Sequence, residues 1–494
     1  MSVQIPLAPS PQHCDLLVIG AGQGGGPLAG AFARAGKHTI LVERTHVGGT
    51  CINEGCSPTK TIIASARVAS VVRRARDYGV LINAADGTGP LVDLTTVRAR
   101  KQHIVDSFRS GSERSLANAG VNLVRGHARF IGPREVEITL AGDAASGLSG
   151  ESRRRIVTAE TVVINTGLRP TLPALTGLND VPFHTSTSIL DVTSVPAHLI
   201  VLGGGYVGLE FAQAFRRFGS RVTIVQRGDQ LLPREDKDVA DAVTAILAED
   251  GIDVVCSAEA IRVERYGDGV RLIWSERRRQ RDASGHRAVE NEITGSDLLV
   301  ATGRTPNTDD LGLALAGVET DPRGFVKVTA HLETTTSGVY AIGDVNGGPA
   351  FTHISYDDFR ILKANLLDGG NRSTEDRLVP YTVFIDPQLG AVGMTEREAR
   401  ASGRRIKLAK LPMTSVARAL ETDETRGFMK VVVDADTGQI LGAVVLGMEG
   451  GEIATILQVA MMGKLHYQVL RDAVFSHPTV AEALNNLFAA IDRA

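Results

Sequence analysis

Twice in this chain an apolar run ends in a glycine-rich turn that opens a helix. A chain built on two such units is confined to parallel α/β sheets with helices packed against them. The first copy reads Cys14-Asp15-Leu16-Leu17-Val18-Ile19, then Gly20-Ala21-Gly22-Gln23-Gly24-Gly25 and an alanine-rich helix. Gly20 permits the turn, Gly22 lets the backbone approach a pyrophosphate, and Gly25 lets helix and strand pack closely. Glu43 closes the next strand, Thr39-Ile40-Leu41-Val42, where an acid can bind a ribose hydroxyl pair. The second copy is Leu199-Ile200-Val201-Leu202 followed by Gly203-Gly204-Gly205-Tyr206-Val207-Gly208, with Gly203, Gly205 and Gly208 in the corresponding places. Two dinucleotides are implied. At the offset of Glu43 the second copy carries Gln226, followed by Arg227 and, further on, Arg234. An acid there would repel a 2′-phosphate, so the second site reads as one for NADP rather than NAD. The competing reading of the two arginines is solvated loop charge.

Directly behind the first unit stands Gly49-Thr50-Cys51-Ile52-Asn53-Glu54-Gly55-Cys56-Ser57-Pro58-Thr59-Lys60. Two cysteines this close, beside a nucleotide turn, read as a redox-active disulfide. Gly49 and Gly55 allow the tight backbone a small ring needs, and a helix N-terminus favours a thiolate. Half a zinc site is the bland alternative, but the other cysteines, Cys14 and Cys256, are distant and His46 has no metal-spaced partner.

Bulk properties exclude several other classes. The 494 residues, 43% hydrophobic, suffice for about three domains. A net charge of −3 and 4% aromatic residues give no nucleic-acid footprint. Four cysteines make no structural framework, and a cycling disulfide needs reducing surroundings. The leader Met1 to His13 lacks Lys and Arg and no apolar stretch reaches membrane-spanning length, so the expectation is a cytoplasmic protein without a membrane partner.

Two apolar strands ending in Thr-Gly echo each other, Val163-Ile164-Asn165-Thr166-Gly167 and Val300-Ala301-Thr302-Gly303-Arg304. They mark where the chain leaves and re-enters its first domain. Ala341-Ile342-Gly343-Asp344 then supplies an acid that reads equally as a ligand for ribityl hydroxyls or as a helix cap. The stretches Ala141 to Glu151 and Arg277 to Arg287 read as exposed loops. Beyond residue 350 a strand near Thr382 to Ile385, paired strands at Phe428 to Val433 and Ile440 to Leu446, and helices from Glu452 onward indicate a separate α+β domain.

In this order the motifs resemble, over nearly the whole chain, the flavoprotein disulfide reductases (class I pyridine nucleotide-disulfide oxidoreductases), the group of glutathione reductase, dihydrolipoamide dehydrogenase and mercuric reductase. The resemblance implies an α/β fold with an FAD-binding domain at 1–167 and 299–350, an NAD(P)-binding domain at 168–298 and a dimerisation domain at 351–494. It puts FAD on Gly20, Gly22, Gly25, Glu43, Thr166, Gly167, Gly303 and Asp344, and NADPH on Gly203, Gly205, Gly208 and Arg227. It makes Cys56 the thiol beside the flavin, Cys51 the exchanging nucleophile, Tyr206 an aromatic gate over the flavin and Lys60 with Glu210 an ion pair near its ring. On chemistry alone Lys60 is equally an exposed helix lysine. His477-Pro478-Thr479-Val480-Ala481-Glu482 resembles the family's His-Pro-x-x-x-x-Glu element, with His477 as acid/base, Glu482 orienting it, and the site completed across a homodimer.

Departures from the family bear on the substrate. Gly30 and Ala31 stand where glutathione reductases carry carboxylate-binding arginines, which disfavours glutathione disulfide. Val416 to Leu420 and Thr425 to Lys430 are closer to mercuric reductases, whereas Phe351 to Asp358, Val379-Pro380-Tyr381 and Arg471-Asp472 are closer to a copper-reducing relative linked to reactive-chlorine resistance. Mercuric reductases end in a cysteine pair and have tyrosine where His477 stands; this chain ends Ala489-Ala490-Ile491-Asp492-Arg493-Ala494. Glu54 and Ser57 add polarity where apolar residues are usual. Three functions fit: a reductase of a small or protein-borne disulfide, a reductase of Hg(II) or Cu(II), and a non-catalytic redox sensor, against which the intact Cys51, Cys56 and His477 count.

Overall fold

The computed structural model describes residues 11–81, 91–141, 153–276 and 290–493. The expected loop from Ala141 to Glu151, apart from Ala141 itself, the whole of the loop at 277–287 and the leader up to residue 10 lie outside the described residues. The chain forms two compact units, the first of Met1–Pro58, Arg100–Pro170 and Arg304–Arg377, the second of Thr59–Ala99, Thr171–Gly303 and Leu378–Ala494.

In the first unit the strand Gln12–Ile19 lies between Thr39–Glu43 and Arg154–Ile164, parallel to both. Asn122–Gly132 adds beyond Thr39–Glu43, and Val339–Ala341 beyond Arg154–Ile164. Both faces of this sheet are covered, so its strands read as unbroken apolar runs. Alternate residues serve opposite faces: Leu17, Ile19, Ile40 and Val42 enter one core cluster, Leu16, Val18 and Leu41 the other. Asn122–Gly132 outruns its parallel partner, and its far half pairs antiparallel with Glu135–Leu140, which returns onto Arg154–Ile164.

The second unit repeats the design with a parallel sheet ordered Asp297–Val300, His198–Leu202, Arg221–Val225, Ile252–Val255. The strands Ala258–Tyr266, Gly269–Glu276 and Glu290–Gly295 form an antiparallel sheet of their own. The C-terminal segment builds a five-stranded antiparallel sheet ordered Tyr381–Val383, Gln388–Gly393, Ile440–Gly447, Phe428–Asp434, Ile406–Pro412, with the helix Gly450–Met462 against it. Two of these strands escape a reading of the sequence. Gln388–Gly393 is glycine-rich because the helix backbone comes so close that a Cβ at Gly390 would lie 2.2 Å from the Gly450 carbonyl oxygen. Ile406–Pro412 is an edge strand, and its lysines and terminal proline, which discourage further pairing, mask its β character.

Candidate active site

The first glycine turn is locked by contacts only glycine permits. Gly20 adopts φ +103°, and a Cβ there would lie 2.3 Å from the Asn165 carbonyl oxygen; one at Gly25 would lie 2.3 Å from the Gly20 oxygen. Asn165 ties the turn together: its Oδ1 accepts the Gly25 amide at 2.9 Å and its Nδ2 donates to the Ile342 carbonyl at 2.8 Å. Glu43 is buried, accepting the Ala21 amide on Oε2 and the Thr45 amide on Oε1, each at 2.8 Å. Thr166 Oγ1 donates to the Asn307 carbonyl at 2.8 Å, while Gly167, at φ +64°, faces open space. Asp344 sits in the tight turn Gly343–Asn346 with its carboxylate 3.0 Å from Arg304. Burial pushes its carboxyl up although Arg304 opposes the shift. Buried Asp358 braces this turn by accepting the Gly343 amide at 2.8 Å while paired with Arg377 at 2.6 Å.

The cysteine segment is packed onto that turn. Gly48 and Gly49 both have positive φ, the Gly48 amide donates to the Ala21 carbonyl at 2.8 Å, and a Cβ on Gly49 would lie 2.8 Å from the Gly22 Cα. Gly49 is therefore bare because the first turn's backbone lies against it, while a Cβ on Gly22 itself would lie 2.8 Å from Asn165 Oδ1. Half-buried Cys51 lies in the short helix Gly49–Asn53; Cys56, exposed, opens the helix Cys56–Arg73, its Sγ 3.3 Å from Thr352 Oγ1. Between the cysteines, Asn53 donates to the Val47 and Gly49 carbonyls at 3.0 and 2.9 Å and accepts Arg109 Nε at 2.8 Å. Asn53, Arg109 and Asn165 have no role in the sequence reading. For Asn165 a signal existed, a carboxamide at the end of an otherwise apolar strand.

The second unit holds the other expected residues. Gly203 has φ +115° and its Cβ would lie 2.4 Å from the Ala301 oxygen; the Cβ of Gly208 would lie 2.2 Å from the Gly203 oxygen. At Gly205, just before the helix Tyr206–Phe218, no atom lies within 4 Å of a Cβ position. The turn is thus open where a pyrophosphate would meet the helix amides, and the residues fit a dinucleotide. Gln226 Oε1 accepts the Gly204 amide at 3.0 Å, the bond that Glu43 makes in the first unit. Arg227 and Arg234 are exposed, with no ion pair to Arg227 among the described residues. Gly303 adopts φ +136°.

Tyr206 stacks on Tyr381 with ring centroids 5.7 Å apart, and both hydroxyls donate to Oε1 of buried Glu235. Glu235 is another residue the sequence gives no sign of. Lys60 Nζ is 2.6 Å from Oε2 of buried Glu210, whose Oε1 accepts the Phe384 amide at 2.8 Å. Lys60 also lies 4.9 Å from the Phe384 ring centroid, so it is a paired lysine rather than a solvated one. His477 Nδ1 lies 3.0 and 2.9 Å from the two carboxylate oxygens of Glu482, while its side chain is 73% exposed. Such a pair holds one ring nitrogen and presents the other for proton transfer.

Among the described residues no helix is long and apolar enough to cross a membrane, and no group of three or more His, Cys, Asp or Glu residues is placed to hold a metal ion.

Comparison with known proteins decides the family. The pyridine nucleotide-disulphide oxidoreductase model matches residues 14–358, and the dimerisation domain of the same family matches 379–488. The chain belongs to this family. It is 35% identical over 480 residues to a probable pyridine nucleotide-disulfide oxidoreductase, RclA, of Escherichia coli (strain K12), covering 96% of this chain and 98% of that one. Mercuric reductase of Bacillus cereus is 32% identical over 480 residues, covering 97% of this chain and 72% of the relative. Among solved structures, a Cu(II) complex of the HOCl-induced flavoprotein disulfide reductase RclA from Escherichia coli superimposes with a TM-score of 0.84 at 34% identity, covering 97% of this chain and 100% of that one. The chain is accordingly a flavoprotein disulfide oxidoreductase by family, with two nucleotide-binding sheets and a dimerisation domain.

Proposed function

We propose that this enzyme takes electrons from NADPH and delivers them through FAD and the Cys51–Cys56 pair to a small or protein-borne disulfide, working as a homodimer in the reducing cytoplasm. The observation that carries the disulfide reading is the His477–Glu482 pair, with Nδ1 held at 2.9 and 3.0 Å by the carboxylate. Disulfide exchange releases a thiolate that must be protonated, and an imidazole with a free second nitrogen supplies that proton. FAD, held by Gly20, Gly22, Gly25, Glu43, Thr166, Gly167, Gly303 and Asp344, supplies two-electron chemistry between nicotinamide and thiols. Cys51 attacks the substrate disulfide, and Cys56 closes on Cys51 to release the second thiol. Glu482 keeps His477 in one tautomer. Tyr206 acts as a gate that yields its place to the nicotinamide, and Lys60 with Glu210 keeps a fixed charge pair in the second unit. Gln226 and Arg227 favour NADPH over NADH, since neither repels a 2′-phosphate and Arg227 is available to pair with it.

A second reading, reduction of a soft metal ion bound by the two thiols, is favoured by the mercuric reductase likeness and by the Cu(II) complex of the similar RclA. Turnover of His477→Ala separates the two. Disulfide reduction should fall by about two to four orders of magnitude while flavin reduction by NADPH persists. Reduction of Hg(II) or Cu(II) should lose far less, because no leaving thiol needs a proton. A silent His477→Ala toward every disulfide tried would favour the metal-ion reading.

A further inference from the structure

Beside the second glycine turn stands a carboxylate that the electron path does not use. Glu235 is 2% exposed, and its Oε1 accepts two phenol hydroxyls, Tyr381 at 2.6 Å and Tyr206 at 3.2 Å. The two rings stack at an interplanar angle of 21°. Tyr206 is the first residue of the helix that follows Gly205, so its ring stands on the turn that receives the nucleotide.

The acceptor is posted on that same turn. The Leu232 amide donates to the Gly204 carbonyl at 2.9 Å, the Glu235 amide to the Leu232 carbonyl at 2.9 Å, and Gln230 Nε2 to the Glu235 carbonyl at 3.2 Å. These bonds hold the Glu235 backbone on the turn, and the Tyr381 hydroxyl at 2.6 Å holds the carboxylate itself, so the acceptor stays behind if the Tyr206 ring swings away. The shorter bond belongs to Tyr381 and the longer to Tyr206, so Tyr381 is the fixed member and Tyr206 the one that releases.

We propose that Glu235 and Tyr381 form a latch holding Tyr206 in its resting position, so that NADP(H) binds only after the Tyr206–Glu235 hydrogen bond and the ring stack are broken. The inference rests on the reading of Tyr206 as a gate. Glu235 and Tyr381 are positioning residues in it. A ligand that binds only the released state has its affinity reduced by the fraction of molecules released, so weakening the latch should tighten binding.

The test is calorimetric titration of NADP⁺ into the oxidised, flavin-loaded enzyme, which reads binding and not turnover. Tyr206→Phe keeps the ring and removes the hydroxyl. It should lower Kd by about three- to thirty-fold. Glu235→Gln, which retains an amide oxygen acceptor, should stay within about twofold of the unmutated protein. The double variant Tyr206→Phe with Glu235→Leu should bind no tighter than Tyr206→Phe alone, since the Tyr206–Glu235 bond is already gone and the Tyr381–Glu235 bond that Glu235→Leu also removes does not itself hold Tyr206. Tyr206→Ala separates the latch from the gate: if Ala tightens binding and Phe does not, the gate stands and the latch is overturned. If neither changes Kd, both readings fall.

Discussion

Gln226 braces its glycine turn through the Gly204 amide at 3.0 Å, as Glu43 braces the other through Ala21 at 2.8 Å. Amide and carboxylate oxygens are interchangeable as acceptors of the turn amide, but Gln226 Nε2 also donates to the Gln230 carbonyl at 3.3 Å, a bond a carboxylate cannot make. Gln226→Glu should therefore lower the thermal midpoint slightly, through the lost bond to Gln230, while repelling a 2′-phosphate and welcoming ribose hydroxyls. The NADPH to NADH ratio of kcat/KM should drop at least about tenfold, and an unchanged ratio would remove Gln226 from nucleotide choice. The substitution was legible in the sequence because it lies at a fixed offset from a motif. Glu235 and Arg109 were not, since the groups they serve, Tyr381 and Asn53, lie far away along the chain and nothing local announces them.

Each fingerprint works as a strand–turn–helix element, and the two elements share a mechanical weak point. A Cβ at Gly25 or Gly208 would meet the carbonyl oxygen of the first glycine of its own turn at 2.3 or 2.2 Å. Helix and strand would have to part in either alanine variant, at a cost of about 1–3 kcal/mol. The consequences should differ by unit. Gly25→Ala should purify with little bound flavin, whereas Gly208→Ala should remain yellow yet fail to bind NADP⁺ in a titration; loss of flavin from both would show that the elements do not act separately. These elements were readable because periodicity and glycine spacing are local. Gln388–Gly393 was not, because its glycines answer to the helix Gly450–Met462 and only the folded chain brings the two together.

At the scale of the molecule, the second unit depends on a lysine held among acids. Lys430 is buried, with Asp236 at 3.0 Å, Asp238 at 2.9 Å and Glu396 at 3.0 Å. Lys430→Met would leave three carboxylates partly uncompensated and should cost about 3–5 kcal/mol. Burial alone would push Asp238 and Glu396 up, but hydrogen bonds from Lys430, joined by Lys410 and Arg400 respectively, hold both below the usual carboxylate range. Depressed carboxylates contribute stability above their unfolded values, near about pH 4, and lose it as pH falls through their folded values. The deficit of Lys430→Met in urea unfolding should accordingly be largest at neutral pH and shrink toward about pH 3; a deficit independent of pH would point to lost packing instead. The bond from Asn165 to the Ile342 carbonyl and the pairing of Val339–Ala341 with Arg154–Ile164 carry a consequence for biosynthesis. A ribosome making this chain from its N-terminus reaches Gly25 early, yet the first unit stays open until Ile342 has emerged, after the whole segment Thr171–Gly303 of the other unit. Until then Arg154–Ile164 lacks its neighbour Val339–Ala341 and Asn165 lacks its acceptor, so the apolar edge of that sheet is a surface for chaperones to cover during synthesis.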